Sequence, residues 1–169
     1  MMSKIYQATE DGFDAKTFHE KVDGKGVTLV IARSTPHNLV FGGFTNIPWS
    51  IAGKGFKKGR AQSFIFNIDE ANKLTILKCL DGTLETYHDP ETLVAFGSHA
   101  NGTFSPCLMI KDKHNEVKKQ VSYFSSALES SYETPKTKKK TPQHFLAGDE
   151  FVKLSEIEAF HFEKYKAEQ

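Results

Sequence analysis

Glu158 is the residue with the clearest potential for chemistry, because it lies inside an apolar segment near the C-terminal end. Side chains of a strand alternate between its faces, so Glu158 shares a face with Phe160 and Phe162. If those rings face the core, the carboxylate is mostly buried and must be hydrogen-bonded, ion-paired or protonated. We expect its partners to be backbone amides or a basic side chain near the turn at Asp11 and Gly12. A catalytic or recognition acid, a structural carboxylate and a carboxylate on an open sheet face all fit this pattern.

Asp11 is the second candidate carboxylate. Asp-Gly pairs are typical of turns, and Asp11-Gly12 precedes a short helix whose N-cap is predicted at Asp14 and whose end is predicted at Gly24. Asp11 and Glu158 together suggest an alternative, hydrolase-like function, which requires carboxyl groups about 5 to 9 Å apart across an open cleft. No catalytic motif is recognisable, so a non-enzymatic function is favoured.

The cysteines and histidines give no signature of a metal site. The seven histidines form no His-x-x-x-His pair, and none lies at zinc-binding spacing from Cys79 or Cys107. Both cysteines lie in apolar runs, which predicts buried, reduced thiols that a bulky reagent does not label. A protein that protects the cell by being oxidised itself needs an exposed thiol of low pKa, which this pattern does not favour. We therefore expect neither a metal ion nor a cofactor.

Two glycine-containing segments are candidate binding elements. Residues 41–44, Phe-Gly-Gly-Phe, lack the lysine of a phosphate-binding loop, so a strand with a bulge or a close approach of another chain segment is predicted. Residues 53–60 form a basic, glycine-rich loop without dinucleotide-binding spacing. Its cations are Lys54, Lys57, Lys58 and Arg60, and a second basic cluster comprises Lys136, Lys138, Lys139 and Lys140. A solvated loop is the alternative interpretation of both.

Short apolar segments at regular spacing dominate the rest of the chain. The predicted strands are 27–32, 39–44, 63–68, 93–97, 108–110 and 151–162. Residues 73–80 and 83–87 flank Asp81-Gly82, which predicts a two-residue β-hairpin. Residues 121–128 are a predicted short helix, and 133–143 a predicted polar loop. This pattern favours a mainly β (α+β) fold, a sandwich of two antiparallel sheets with a few short helices, in a single domain over residues 1–169.

The composition narrows the classes of partner. The 169 residues include 22 Lys and Arg and 21 Asp and Glu, giving a net charge of +1. Such a balance creates no overall attraction to nucleic acid or to an anionic membrane. No apolar run approaches the about 20 residues that span a bilayer, and the first residues lack the apolar core of a signal peptide. We therefore expect a cytoplasmic protein, monomeric alone, with a protein partner.

The order of these motifs resembles the TLDc domain family over residues 5–163. The segments that carry the resemblance are 5–13, 18–19, 26–31, 41–45, 48–49, 63–68, 96–97, 145–148, 151–152 and 157–160. The resemblance implies a two-sheet sandwich, a link to protection against oxidative stress, and binding to the vacuolar proton-pumping ATPase at the cytosolic face of acidic organelles. It implies no established reaction.

The resemblance also points to individual positions. The family's invariant positions correspond to Asp11, Gly12, Gly42, Gly43, Gly97 and Glu158. Two departures concern acidic residues that many members carry. Residues 98–103 contain no acid after the Phe-Gly pair, and Gly59 or Arg60 stands where an aspartate often precedes Ala61.

We expect the partner to bind at the end of the 41–44 segment and at residues 47–60. Trp49 lies in a polar, glycine-rich region, and tryptophan and arginine are enriched in binding hot spots. Lys54, Lys57, Lys58 and Arg60 add charge that attracts an acidic surface. The alternative is that Trp49 folds back and anchors the loop.

Overall fold

The computed structural model describes residues 1–97, 106–111, 122–123, 131–136, 142–149 and 151–163, and two antiparallel sheets dominate them. Sheet A contains, in spatial order, β1 (Met2–Gln7), β11 (Phe151–Phe162), β2 (Thr28–Thr35), β3 (Val40–Thr45), β5 (Phe64–Ile68) and β6 (Leu74–Lys78). Sheet B contains β4 (Gly55–Lys57), β7 (Thr86–His88), β8 (Thr92–Phe96), β9 (Leu108–Lys111), β10 (Ser122–Tyr123) and the start of β11. The expected mainly β sandwich of two antiparallel sheets is confirmed.

The long strand β11 belongs to both sheets. Its first two residues, Phe151 and Val152, pair with β10, whereas residues 153–161 pair with β2. The pairing register shifts between Leu154 and Glu156, and such an irregularity lets a strand bend. Beyond the shift, β1 pairs with β11 along the edge opposite β2. β11 therefore joins the two sheets.

Short helices accompany the sheets. They are α1 (Ala8–Asp11), α2 (Ala15–Val22) and α3 (Pro142–Phe145), and a 3-10 turn spans Ile51–Gly53. α1 packs on β11 and β1, while α2 packs on β1 and β8. The predicted N-cap is confirmed, since Asp14 Oδ1 accepts a hydrogen bond from the Thr17 backbone at 2.8 Å. Gly24, with a φ of +72°, follows the last turn of α2 in the left-handed conformation that glycine tolerates. No helix in the described ranges is long and apolar enough to cross a bilayer.

The core lies between the inner faces of the two sheets. Val30 and Ala32 of β2 and Ile157 and Ala159 of β11 are at most 1% exposed. All five residues of β8, in sheet B, are buried, and Leu93, Val94 and Phe96 belong to the same core cluster. The expectation that residues 27–32 form a central strand is confirmed, because β2 lies between β11 and β3.

The predicted hairpin at Asp81-Gly82 is wrong. β6 pairs with β5 in sheet A, whereas β7 pairs with β4 and β8 in sheet B. The turn itself exists, with Gly82 at a φ of +78°, but it carries the chain from one sheet to the other. Asp-Gly favours a local turn, whereas the pairing of the flanking strands depends on distant segments.

Other differences concern short or terminal elements. β1 was not expected, because residues 2–7 carry a weak apolar alternation. The predicted loop at 53–60 contains the three-residue strand β4, and Pro142 and Gln143, predicted as loop, begin α3. Ser122 and Tyr123 form β10 rather than part of a helix, and the remainder of 121–128 lies outside the described residues. Lys138, Lys139 and Lys140 and the segment 98–103 also lie outside them.

Candidate functional site

Glu158 lies on the outer face of sheet A, and the expectation of burial in the core is wrong. Its predicted parity with Phe160 and Phe162 holds, but the core residues of this strand are Ile157 and Ala159. The Glu158 side chain is 29% exposed and accepts a hydrogen bond from Lys4 Nζ at 3.1 Å. Parity alone could not identify the inner face, because both faces of β11 carry apolar residues.

Asp11 ends α1 and holds the N-terminal segment together. Its carboxylate accepts hydrogen bonds from the Gln7 backbone at 2.9 Å and from Lys21 Nζ at 2.7 Å. The bond from Lys21, together with that from Gln7, lowers the pKa of Asp11 below its ordinary value. Asp11 and Glu158 therefore form ion pairs with different lysines, Lys21 and Lys4. The lowered pKa of Asp11 is also the opposite of the raised pKa that a general acid requires.

Glu85 is the carboxylate that the structure buries, and sequence reasoning missed it. It lies just before β7 and is 1% exposed. Glu85 Oε1 accepts a hydrogen bond from the Ala61 backbone at 2.8 Å, and Oε2 accepts from the backbone and the hydroxyl of Ser63. These donors lie more than twenty residues earlier in the chain, so no local pattern around Glu85 identifies its role.

The buried carboxylate of Glu85 fixes the end of the basic segment. A Cβ atom at Gly59 would lie 2.6 Å from Glu85 Oε1. The backbone can approach the carboxylate this closely because glycine has no side chain. Ala61 adopts a φ of +54° as it donates its amide to Glu85. Lys58 and Arg60 flank this point and are exposed. Glu85 therefore positions Lys58 and Arg60 on the surface.

The four cations of residues 53–60 have different environments. Lys54 Nζ forms an ion pair with Asp89 at 2.7 Å, which neutralises its charge and raises its pKa. Lys57 is half-buried, and its Nζ lies 3.0 Å from the position that a Cβ at Gly53 would occupy. Within the described part of the chain, neither the Lys58 ammonium group nor the Arg60 guanidinium group has a carboxylate oxygen within 4 Å. We call this exposed, uncompensated pair the Lys58–Arg60 surface.

Trp49 is a core residue, so its expected place in the binding surface is wrong. It is 1% exposed, and its Nε1 donates a hydrogen bond to Thr28 Oγ1 at 3.0 Å. Its ring lies 5.5 Å from Phe96, edge to face, and 5.0 Å from His88. The structure shows the alternative, in which Trp49 folds back and anchors the loop. A buried indole suits this role because it supplies a large apolar area and one hydrogen-bond donor.

Three glycines at the expected family positions sit where side chains have no space. A Cβ at Gly42 would lie 1.9 Å from the Val30 carbonyl oxygen, and one at Gly43 would lie 2.6 Å from the Phe96 ring. Gly97 has a φ of +82°, and its Cβ would lie 2.7 Å from Cys107 Sγ. The predicted close approach of another segment at 41–44 is confirmed.

Gly12 closes the N-terminal turn. It has a φ of +106°, and its carbonyl oxygen accepts a hydrogen bond from the Tyr6 hydroxyl at 2.6 Å. The Tyr6 ring packs edge to face on Phe18 of α2 at 5.1 Å. The expected Asp11-Gly12 turn therefore links α1 to the core.

Both cysteines are buried thiols, as the sequence predicts. Burial raises the pKa of Cys79 to about 11, so the reactive thiolate is scarce at neutral pH. We expect a bulky maleimide to label the native protein at Cys79 and Cys107 only at the rate of unfolding, and denatured protein at once. Mass spectrometry of timed samples measures this. Stoichiometric labelling of either cysteine within seconds under native conditions would contradict the buried placement.

His88 is a buried histidine that stays neutral. Its Nε2 lies 3.1 Å from Thr86 Oγ1, and among the described residues its Nδ1 has no hydrogen-bond partner of normal geometry. A weak backbone contact with Ser50 acts to raise the pKa of the ring. Burial lowers the pKa of His88 from its ordinary 6.5 to about 4, and Lys57 nearby adds to the shift. The folded state therefore excludes a proton that the unfolded chain takes up.

This difference makes stability depend on pH. Well above pH 6.5 His88 is neutral in both states, so it contributes no pH dependence there. As the pH falls from about 6.5 to about 4, only the unfolded state is protonated, and stability is lost. We expect His88→Phe, which keeps a ring against Trp49, to flatten the dependence of Tm on pH in this window. The exposed His37 gives the control variant His37→Phe, and an unchanged slope for His88→Phe would refute the assignment.

The described residues contain no group of three His, Cys, Asp or Glu side chains that could hold a metal ion. Curated protein sequences give no match to the chain. Residues 1–163, by contrast, match the family model of the TLDc domain. This match covers nearly the whole chain and agrees with the two-sheet β architecture, so the chain belongs to the TLDc domain family.

Proposed function

We propose that the chain is a non-catalytic protein-interaction domain that binds the vacuolar proton-pumping ATPase at the cytosolic face of acidic organelles. Membership of the TLDc family supports an interaction role, and the resemblance supplies this partner. The Lys58–Arg60 surface carries the proposal, because its two cations are exposed and have no carboxylate within 4 Å in the described ranges. An acidic surface of a partner would neutralise them.

Rigid support favours this surface over other exposed lysines. The Glu85 carboxylate accepts hydrogen bonds from the Ala61 and Ser63 backbones, just after Arg60. Its own backbone N–H donates to the Lys57 carbonyl at 2.9 Å, and β4 pairs with β7 just before Lys58. Side chains on a fixed backbone lose less conformational freedom on binding than those on a loose loop. Recognition residues are often found on loops held by a rigid scaffold.

We propose that protection against oxidative stress operates through this binding. Direct oxidation of the protein would require an accessible thiolate. Both cysteines are buried, and the pKa of Cys79 is raised to about 11. A role exerted through a bound assembly needs no reactive thiol on this chain.

The test is capture of the proton pump from native lysate by the immobilised chain. We expect Lys58→Glu combined with Arg60→Glu to reduce capture of pump subunits about tenfold or more, without lowering Tm. The matched control is Lys16→Glu combined with Lys153→Glu, which makes the same charge change at two other exposed positions. Undiminished capture by the first variant would contradict the role of the Lys58–Arg60 surface, and no capture by the intact chain would contradict the partner.

A further inference from the structure

β6 is an edge strand of sheet A that is only partly covered. It pairs with β5 along its whole length and ends the order of strands in the sheet. On its other side, residues 131–133 lie beside its C-terminal end, where Cys79 and Tyr132 form a bridge. In the described part of the chain, no segment pairs with that side of residues 74–77. Such an open edge presents unpaired N–H and C=O groups to another chain.

The direction of the backbone groups on β6 follows from the hydrogen bonds at its C-terminal end. The Cys79 N–H donates to the segment just before β5 at 2.9 Å, whereas the Lys78 carbonyl accepts from the Glu133 N–H on the opposite side at 2.9 Å. Backbone groups alternate between the two edges of a strand, and the pairing of β6 with β5 has no shift in register. The N–H and C=O groups of Leu74 and Ile76 therefore point away from β5, as those of Lys78 do.

The neighbouring segment of the chain stops pairing before it reaches Ile76. The Lys78 N–H donates to the Glu133 carboxylate at 3.0 Å instead of to a backbone carbonyl. Continued in the register of the bridge at Cys79, the antiparallel pair would set Pro135 opposite Ile76. Proline has no N–H to donate to the Ile76 carbonyl. This segment therefore cannot form the next hydrogen bond of the ladder.

A groove of about 870 Å³ lies along the open edge. Leu74 and Ile76 line it from the outer face of sheet A and are 54% and 42% exposed. Thr75 and Leu77 line it from the inner face, where the half-buried Phe145 also contributes. Apolar side chains thus lie on both sides of the row of unpaired backbone groups.

Charge does not select the occupant of this groove. Its charged lining residues are Asp69, Glu133, Lys73 and Lys136, two of each sign. What the open edge offers is backbone hydrogen bonding flanked by apolar side chains, which is the chemistry that an extended, uncharged peptide segment satisfies.

The same geometry disfavours other occupants. A helix uses its own N–H and C=O groups internally, so it cannot pair with those of β6. Two copies of β6 joined edge to edge, with Leu74 opposite Ile76 of the second copy, would set residue 72 of that copy opposite Lys78. Glu133 already occupies this position.

We propose that β6 binds an extended, apolar segment of a partner protein as an added antiparallel strand. Alternate residues of the segment exchange N–H···O bonds with Leu74 and Ile76. The open edge spans about 13 Å, so the segment contains about four to six residues. The site does not involve the Lys58–Arg60 surface, which follows β4 of sheet B, so this proposal goes beyond the proposed function and is tested separately from it.

The probe is the peptide Val-Thr-Val-Ile-Val-Thr, acetylated and followed by two lysines for solubility. Its control carries the same side chains, but every backbone nitrogen of the six residues is methylated, which removes the donors of the added strand. Each peptide is titrated into the isotope-labelled full chain, and NMR follows amide shifts and hydrogen exchange. We expect the probe to bind about tenfold or more tightly than its control. It should also slow exchange of the Leu74 and Ile76 amides, which should exchange fast in the free chain.

Ile76→Pro tests the role of the backbone edge. Proline removes an N–H that faces the groove and leaves the hydrogen bonds to β5 in place, so an edge strand tolerates it and Tm should change little. This variant should bind the probe about tenfold or more weakly than the wild type. Ile76→Ala is the matched control, because it shortens the side chain but keeps the N–H, and it should weaken binding less. If Ile76→Pro does not fold, the exchange measurement on the wild-type chain decides.

Equal binding of the two peptides, no binding of the probe, or full binding by folded Ile76→Pro would overturn the proposal. Slow exchange of the Ile76 amide in the free chain at every protein concentration would assign the edge to another segment of the same chain and overturn it too. Slow exchange only at high concentration, together with dimerisation, would assign the edge to a second copy with the same consequence.

Discussion

Replacing Glu85 with glutamine is expected to lower the free energy of unfolding by about 3 kcal/mol. The two carboxylate oxygens accept three hydrogen bonds, from the Ala61 backbone and from the backbone and hydroxyl of Ser63. A glutamine has only one acceptor oxygen, and its NH2 group would face an N–H or O–H donor. The variant therefore loses hydrogen bonds and leaves buried donors without acceptors.

Urea unfolding and a thermal scan measure the effect. A loss of this size should lower Tm by about 6 to 12 °C in a chain of this length. The control is Glu158→Gln, since Glu158 is 29% exposed and its ion pair with Lys4 lies at the surface. Exposed ion pairs contribute about 0 to 1 kcal/mol, so this variant should unfold almost as the wild type does. A larger loss for Glu158→Gln than for Glu85→Gln would refute our placement of the buried carboxylate.

Replacing Gly42 with alanine is expected to cost about 3 kcal/mol or more. The added Cβ would lie 1.9 Å from the Val30 carbonyl oxygen and 2.9 Å from the Val30 carbonyl carbon. Overpacking costs about 1 to 3 kcal/mol when side chains can adjust, but Val30 presents backbone that is fixed between β11 and β3. The paired strands β2 and β3 would have to separate locally.

Gly24→Ala is the matched control. Gly24 has a φ of +72°, and apart from its chain neighbours no described residue has an atom within 4 Å of the added Cβ, so alanine there meets backbone strain of about 1 kcal/mol without a clash. Chemical unfolding of both variants under the same conditions gives the comparison. Equal destabilisation by the two substitutions would show that the close approach at Gly42 is absent.

Much of the fold is predictable from local patterns. Alternating apolar residues and β-branched residues predicted β2, β3, β5, β8, β9 and β11. Asp14 and Gly24 marked the two ends of helix α2. These signals work because each depends on neighbouring residues only. The Asp81-Gly82 pair shows the limit of local patterns. It predicted the turn correctly, but the strands on either side of the turn do not pair with each other.

The site was harder to predict because burial depends on distant partners. Glu158 and Glu85 both lie in or next to strands, and only the packing of the sheets decides which carboxylate is enclosed. Trp49 lies among polar and glycine residues, yet Thr28 and Phe96 from other strands enclose its ring. The sequence identifies Lys58 and Arg60 by their charge, but it does not distinguish them from Lys54. Only the structure shows that Lys54 is ion-paired with Asp89.

The affinity of the purified chain for the purified vacuolar proton-pumping ATPase, measured at low and physiological salt, tests the central claim most directly. We predict saturable binding that weakens as salt rises, because the Lys58–Arg60 surface is exposed to screening. Lys58→Glu combined with Arg60→Glu should weaken it about tenfold or more at low salt. Absence of saturable binding at either salt concentration would contradict the account.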